Sequence, residues 1–473
     1  MQEKDLIKEY HKLSARHVLV LEADMSQQEI DRVVRYADKE RKAGNELVGE
    51  MRKRYEQLIR TKRYRKLLGL YGKTESKEKR RKYAKQLNEM QREYNVTWDY
   101  CRKTMIPIGK KYGIQAVTSL TKAEDIWGAL EKCLYSNGRT IHFSKRNELP
   151  SIRAKQITRG IIINVKNKSL EFKFNDLVFS GKVTDRFKQD EVKAIIEYLS
   201  QPEIKDKEAV ETLLETGECI STYRPCYVTL VPKIIRGRYR IYVHITVEGL
   251  PKPKRDGKGN LKHSHGRGII GCDIGTQTIA YTSKTEVGLK NLAERGQSIR
   301  KSERQERLLY RAMDRSRRAT NPNNYNEDGT VKKGVRTWVY SNHYKKIQER
   351  HKELCRKNAI NRQLAINEDI NHIRSLGDFF VTELKNFKAL QARTKETTKN
   401  SKGKYNRKKR YGKSIGNRCP GYFQERVKQK FKQTNGVYVE VPSMYRASQY
   451  DHTVDKYVRK NLNDRMYNLQ NGQ

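Results

Sequence analysis

Two short apolar runs that each end in an acidic residue constrain this chain more than any other feature. Ile269-Ile270-Gly271-Cys272-Asp273 and Phe379-Phe380-Val381-Thr382-Glu383 both read as buried strands, each delivering a carboxylate at its end. Brought together in a fold, two strand-borne carboxylates would hold a divalent metal. The chain around them is strongly cationic. Its 473 residues carry 101 Lys plus Arg against 55 Asp plus Glu, a formal charge of +46. Such an imbalance costs self-repulsion unless a polyanion neutralises it, so DNA or RNA is the natural partner, bound through salt-sensitive phosphate contacts. The 28 tyrosines supply core material and possible stacking platforms for bases. An acidic site in a cationic protein points to metal-dependent chemistry on nucleic acid.

Several classes are disfavoured. No apolar stretch approaches the roughly 18 residues of a membrane span, and the N-terminus lacks the apolar core of a signal peptide. No membrane partner is expected, and a cytoplasmic, nucleoid-associated location is. The seven cysteines are scattered without a Cys-x-x-Cys pair, which argues against a disulfide framework and fits a reducing compartment. Cys219, Cys226, His263 and His265 have the wrong spacing for a zinc knuckle, so no structural zinc is expected.

The hydrophobic period changes along the chain. Residues 17–23 form one strand, Ser26-Gln27-Gln28-Glu29 is a capping box, and a long helical region follows. There Leu47, Met51, Tyr55 and Leu58, then Tyr83, Leu87, Met90 and Tyr94, recur at helical spacing as core stripes. Between the stripes Arg52, Arg54, Arg60 and Arg63 crowd a polar face of single sign, a candidate for phosphate contact. From residue 138 the period is two: Leu170, Phe172 and Phe174 alternate, as do Tyr239, Ile241, Val243, Ile245 and Val247, with Arg236-Gly237 as a hairpin turn. This pattern predicts a small β-barrel interrupted by the helical segment, with a linker from Lys252 to Gly268 into the next domain. Beyond Asp273, a helix places Arg304, Arg307, Arg311, Arg315 and Arg318 at intervals of three or four. They make one arginine face about 20 Å long, read as a cradle for a nucleic-acid backbone. Tyr344, Ile347, His351 and Leu354 mark another helix. Thr394 to Lys413, with Lys408 and Arg410, is nearly bare of apolar residues and predicts a basic loop. Val437 to Val441 is a further strand.

Phosphodiester cleavage with divalent metal uses oxygen ligands on rigid strands, with two Mg²⁺ ions roughly 4 Å apart orienting water and stabilising the leaving oxygen. Asp273 and Glu383 suit that role in a ribonuclease-H-like arrangement. Asp-x-Gly alone is weak, since actin-like ATPases also place one after a first strand, but no Walker-type phosphate loop accompanies it.

Gly271-Cys272-Asp273-Ile274-Gly275, the arginine helix, Asn321-Pro322-Asn323-Asn324-Tyr325-Asn326-Glu327-Asp328-Gly329, Thr382-Glu383-Leu384 and Ala447-Ser448-Gln449-Tyr450-Asp451-His452 occur in an order that resembles the transposon-encoded TnpB nucleases, ancestors of the type V CRISPR effectors. The resemblance implies an α+β multidomain protein: a wedge β-barrel with an inserted helical recognition domain, followed by a RuvC-like α/β nuclease domain with a helical insertion. The implied parts are wedge 1–25, recognition 26–137, wedge 138–262 and RuvC-like 263–473. The last would contain an arginine-rich helix 298–320, a helical insertion 338–372 and a basic loop 391–420. It also implies a guide RNA, double-stranded target DNA chosen by pairing and a flanking motif, and a two-metal Mg²⁺ site held by Asp273 and Glu383. Two departures stand out. No cysteines follow Ser448-Gln449, where relatives carry a zinc ribbon. The family's third catalytic Asp, in an Arg-Asp pair, has only Asp464 as a nearby counterpart, in a different context.

Three functions follow. The first is an RNA-guided DNA endonuclease. The second is a nuclease-inactive RNA-guided DNA-binding repressor. The third, a conventional transposase or resolvase, would want a helix-turn-helix or zinc module that this sequence does not display.

Overall fold

The computed structural model describes residues 5–7, 10–11, 14–136, 138–146, 148–216, 221–251, 253–294, 299–335, 337–391, 397, 401, 403, 405, 412–442, 450–451 and 454–457. It divides into two compact units, Met1–Lys252 and Pro253–Gln473. Among the described residues no helix is long and apolar enough to cross a membrane.

In the first unit β1 (Arg16–Asp24) leads into α1 (Gln27–Arg60). The sequence dictates that start: Ser26 donates its backbone N–H to Glu29 at 2.7 Å, and its hydroxyl accepts from the Glu29 N–H at 3.4 Å, closing the capping box. Four more helices follow, α2 (Lys62–Lys73), α3 (Lys77–Glu93), α4 (Trp98–Tyr112) and α5 (Ala116–Tyr135). The stripe Leu47, Met51, Tyr55 and Leu58 is buried in this bundle, as are Leu87 and Met90, while Tyr83 and Tyr94 are half-buried against the core. Tyr36 fastens α1 to the start of α5, meeting the Thr118 hydroxyl at 2.7 Å and accepting from the Gln115 N–H at 2.8 Å.

The chain then builds β2 (Ile152–Arg153), β3 (Ile161–Lys166), β4 (Ser169–Phe174), β5 (Leu177–Lys182), α6 (Arg186–Ser200), α7 (Pro202–Thr216), β6 (Pro225–Ile235) and β7 (Arg238–Glu248). Arg236 and Gly237 both take positive φ, 52° and 78°, so the β6–β7 turn sits where the sequence puts it. The strands form one antiparallel sheet in the order β2-β6-β7-β1-β5-β4-β3. β1, which precedes the five-helix bundle, therefore lies at its centre between β7 and β5. A barrel was expected here. The sheet is instead a curled half-barrel, and β2 and β3 are its two unjoined edges among the described residues. With only two residues, β2 offers too short a ladder to close the ring. Helices α6 and α7 went unforeseen inside this stretch. Val192, Ala194, Ile195 and Tyr198 of α6 are buried.

A buried acid in the bundle carries a pH dependence. Glu40 on α1 is 2 % exposed, and Lys122 Nζ lies 3.6 Å from its carboxylate. Burial outweighs that partner and pushes the Glu40 carboxyl up to about 7. The folded protein thus holds this proton where the unfolded chain has released it, so stability falls as pH rises toward the folded value. Glu40→Gln should remove the loss. From about pH 5 to about pH 8 the unfolding free energy of the variant should gain about 2 kcal/mol on the parent. Equilibrium unfolding followed by circular dichroism at both pH values measures it, and a difference independent of pH would refute it.

The second unit opens with β8 (Ile269–Ile274), β9 (Thr278–Thr282) and β10 (Val287–Asn291), an antiparallel meander. α8 (Ile299–Thr320), α9 (Asn342–Leu376), β11 (Phe379–Glu383), α10 (Phe387–Leu390), α11 (Gly412–Arg418), α12 (Pro420–Gln433) and β12 (Val437–Val441) follow. The five strands run β10-β9-β8-β11-β12, with β11 parallel to both β8 and β12. A small hairpin, β13 (Tyr450–Asp451) and β14 (Lys456–Tyr457), stands apart from that sheet. One face of the large sheet is covered. Ile270, Cys272, Ile274, Ile279, Tyr281 and Phe380 bury against Ile366, Ile370 and Ile373 of α9 and Phe423, Val427 and Phe431 of α12. Arg374, 4 % exposed, locks the base of this layer. It donates to the Gly266 and Gly377 carbonyls at 2.8 and 2.9 Å, and to the Thr434 hydroxyl and carbonyl at 2.7 and 3.0 Å. A buried guanidinium is tolerated because each of these bonds replaces one to water.

Candidate active site and cationic helix

Strand alternation decides where the two acids point. On β8, Ile270, Cys272 and Ile274 face the helices, which leaves Gly271 and Asp273 on the opposite face. On β11, Phe380 and Thr382 are the buried set, so Glu383 shares the Asp273 face. The parallel register pairs Thr382 with Cys272, and each acid is the next residue on its strand. Two carboxylates 110 positions apart in sequence thus end neighbouring strands on the same open face. The Asp273 side chain is 69 % exposed and that of Glu383 30 %. Directly after Asp273 the chain reverses: Gly275 donates to the Thr278 carbonyl at 2.9 Å, and a Cβ at Gly275 would press on that same oxygen at 2.9 Å. Only glycine fits this turn without displacing β9.

The sequence reading missed Lys385. Its ammonium contacts Asp273 Oδ1, lies 3.7 Å from Glu383 Oε2, and donates to the Ile274 carbonyl at 3.3 Å. A cation therefore already sits against both acids, and one residue links them. Its position two residues beyond Glu383, on the same alternation, is the signal that could have found it. The neighbouring thiol plays no such part: burial pushes Cys272 up to about 12, which keeps it protonated.

The donor set fits a hard divalent cation in kind, since both groups are carboxylates, and in place, since both end on one face and already attract an ammonium. Among the described residues no cluster of three or more His, Cys, Asp or Glu is arranged to hold a metal. Asp464 lies outside the described residues.

The arginine helix is α8. It packs on α9, with Met313 buried and the Tyr310 ring 4.5 Å from that of His351, so His351 serves packing here. Arg304, Arg307, Arg311 and Arg315 are exposed and carry no ion pair or hydrogen bond among the described residues. Arg318 differs. It donates to Asp314 at 2.7 Å and to the Gly329 carbonyl at 2.8 Å, and stacks over Tyr325 at 4.8 Å, fastening the loop after the helix. In the first unit Arg52, Arg54 and Arg60 lie on α1 and Arg63 on α2. Arg54 is held by Glu50 at 2.7 Å and Tyr100 at 3.2 Å, whereas Arg60 and Arg63 are exposed. Lys408 and Arg410 lie outside the described residues.

No family model matches this chain, and no curated protein matches it. Among solved structures, one likeness is to the Cas12f1-sgRNA-target DNA complex. It covers 95 % of this chain and 93 % of that one, at 11 % identity and a TM-score of 0.43. Another is to a Cas12i1 R-loop complex before target DNA cleavage, at 9 % identity and a TM-score of 0.30. That match covers 91 % of this chain and 58 % of the Cas12i1 chain. Both likenesses are distant. The functional reading is carried by the chain's own residues.

Proposed function

We propose that the chain is an RNA-guided DNA endonuclease with a RuvC-like site. The observation that carries this reading is the pairing of Asp273 and Glu383 at the ends of adjacent parallel strands, on an open face of a protein with a net charge of +46. The strand order of the second unit, an antiparallel meander followed by two parallel strands, supports a ribonuclease-H-like domain. The ordered motifs that resemble TnpB nucleases support a guide RNA and a DNA target chosen by pairing.

In this reading Asp273 and Glu383 would hold Mg²⁺, which supplies charge neutralisation at the scissile phosphate and an activated water. The chain's own residues do the rest. The β8–β11 ladder fixes both carboxylates on rigid backbone. Gly271, without a side chain, makes room for the methyl of its strand partner Thr282, which a Cβ there would meet at 3.3 Å. Arg304, Arg307, Arg311 and Arg315 bind phosphates without reading sequence. Lys385 neutralises the two acids in the free protein and moves aside, or turns to a phosphate oxygen, once the pair is engaged. The same lysine gives the second reading, a guided repressor, its specific support, because a pair of acids already neutralised by an internal ammonium has less call on a metal.

The test is to purify the protein from cells, sequence the RNA that accompanies it, and then reload it with that RNA reprogrammed at its variable end. Mg²⁺-dependent cutting confined to a plasmid that matches the new guide is the expected result. Guided binding without cutting would favour the repressor. Protein that carries no RNA, or that cuts without regard to pairing, would overturn the guided reading altogether.

A further inference from the structure

A shallow groove of 390 Å³ runs along the outside of α1, lined by Gly49, Arg52, Lys53, Glu56, Gln57, Arg60 and the ring of Phe143. Three features of it are unusual together. First, Phe143 is 50 % exposed although the segment that bears it is firmly held. Ile141 is buried at 2 %, and the Asn45 amide clamps Ser144 from both sides, donating to its carbonyl at 2.9 Å and accepting from its N–H at 2.8 Å. The ring is thus presented by rigid backbone, with no covering side chain to account for it. Second, the floor is a glycine in mid-helix. Gly49 has ordinary helical φ, and a Cβ there would meet only Phe143 Cε1, at 3.8 Å. Neither backbone nor crowding requires glycine, which costs about 1 kcal/mol against alanine in a helix interior. Its neighbour Gly44 is different, since a Cβ there would press on the Lys122 side chain at 3.2 Å. What the bare Gly49 provides is open space beside an aromatic face. Third, three cations line the groove against one acid, and Arg52 and Arg60 share that acid, Glu56, at 2.8 and 3.7 Å.

We infer that this groove is a stacking site for one unpaired nucleotide: the base lies on Phe143 above Gly49, and its flanking phosphates meet Arg52, Lys53 and Arg60. The inference rests on the nucleic-acid reading above and adds to it a specific single-strand contact in the helical part of the first unit. An aromatic face beside convergent cations is the chemistry that single-stranded nucleic acid uses, and every base offers a π-face to it. A buried apolar ligand is the wrong occupant for a groove this open and charged. A duplex is also wrong, because its bases are already stacked on one another.

The probes are fluorescein-labelled twelve-residue oligo(U) and oligo(dT), with a hairpin duplex as comparison, titrated by anisotropy into the full chain freed of RNA. Phe143→Ala should weaken single-strand binding by roughly 10-fold or more, as expected for the loss of one stacked base, and leave duplex binding unchanged. Phe143→Trp should preserve affinity, and its indole fluorescence should be quenched as the oligonucleotide binds. Gly49→Leu should also weaken single-strand binding while raising the thermal midpoint, because it fills the groove with a better helix former. The ratio of the oligo(U) and oligo(dT) effects identifies whether RNA or DNA is the preferred occupant. If the parent binds single strands and both Phe143→Ala and Gly49→Leu bind them equally well, the site is overturned while the wider function stands. If the parent binds neither strand nor duplex, the nucleic-acid reading fails and the site falls with it.

Discussion

Replacing Asp273 with alanine should reduce guided DNA cleavage by roughly 10³-fold or more, equivalent to at least about 4 kcal/mol of transition-state stabilisation. Binding of guide RNA and matched DNA should persist within about 3-fold, because phosphate contacts elsewhere supply that affinity. The side chain is largely exposed at a strand end, so the variant should fold normally. Its removal also releases Lys385, whose ammonium would be left with Glu383 and the Ile274 carbonyl. That local ion pair would make the remaining acid a still poorer metal ligand. Glu383→Gln should cause a comparable loss by a different route, since it keeps the shape and removes the charge. Gel-shift and plasmid-nicking assays on the same preparations separate the two properties. Undiminished cutting by Asp273→Ala would remove this pair of acids from the chemistry.

Neutralising the exposed side of α8 should have the next largest effect. With Arg304, Arg307, Arg311 and Arg315 all changed to glutamine, RNA affinity should fall by roughly 10²- to 10³-fold near physiological salt. The slope of log affinity against log salt should become shallower by about 3, near 0.7 for each single-strand phosphate that is no longer neutralised. The packed side of the helix, with Met313 and Tyr310, is untouched, so thermal stability should hold. Arg318→Gln is the contrasting control. Its guanidinium is committed to Asp314, Gly329 and Tyr325, so the variant should lose stability and leave the salt slope nearly unchanged. An unchanged slope in the fourfold variant would show that this face meets no phosphate.

The parts of the fold that were legible in the sequence are those fixed by local chemistry. The Ser26–Glu29 capping box, the Arg236-Gly237 turn and the alternation from Ile241 to Val247 need only near neighbours to act. The acid-ended runs were readable for the same reason, because burial on one face and a carboxylate at the end leave a linear trace. What escaped depends on distant partners. Glu40 reads as one more charge on a polar helix until α5 brings Lys122 over it. Lys385 follows Glu383 at the two-residue spacing of the strand, but its contact with Asp273 emerges only when β8 is laid beside β11. Helices α6 and α7 fall between β-patterned segments and were absorbed into the expected barrel, although the Val192, Ile195 and Tyr198 stripe of α6 is at helical spacing and only α7 has a weak apolar face. The expected barrel itself required the sheet edges to meet, which a two-residue β2 does not support.

Alignment of the acids by main-chain pairing gives this site an unusual latitude in one direction and none in the other. The chain leaves the sheet only after Asn291 and returns at Phe379, so the segment between Asn291 and the packed end of α9 at Ile366 could be lengthened or trimmed without shifting either carboxylate. A single residue added within Phe379–Glu383 is another matter. It would swing Glu383 into the oily layer beneath and bring threonine up in its place. Descendants of such a chain are free to grow around this hearth, but not to re-space the few residues that build it.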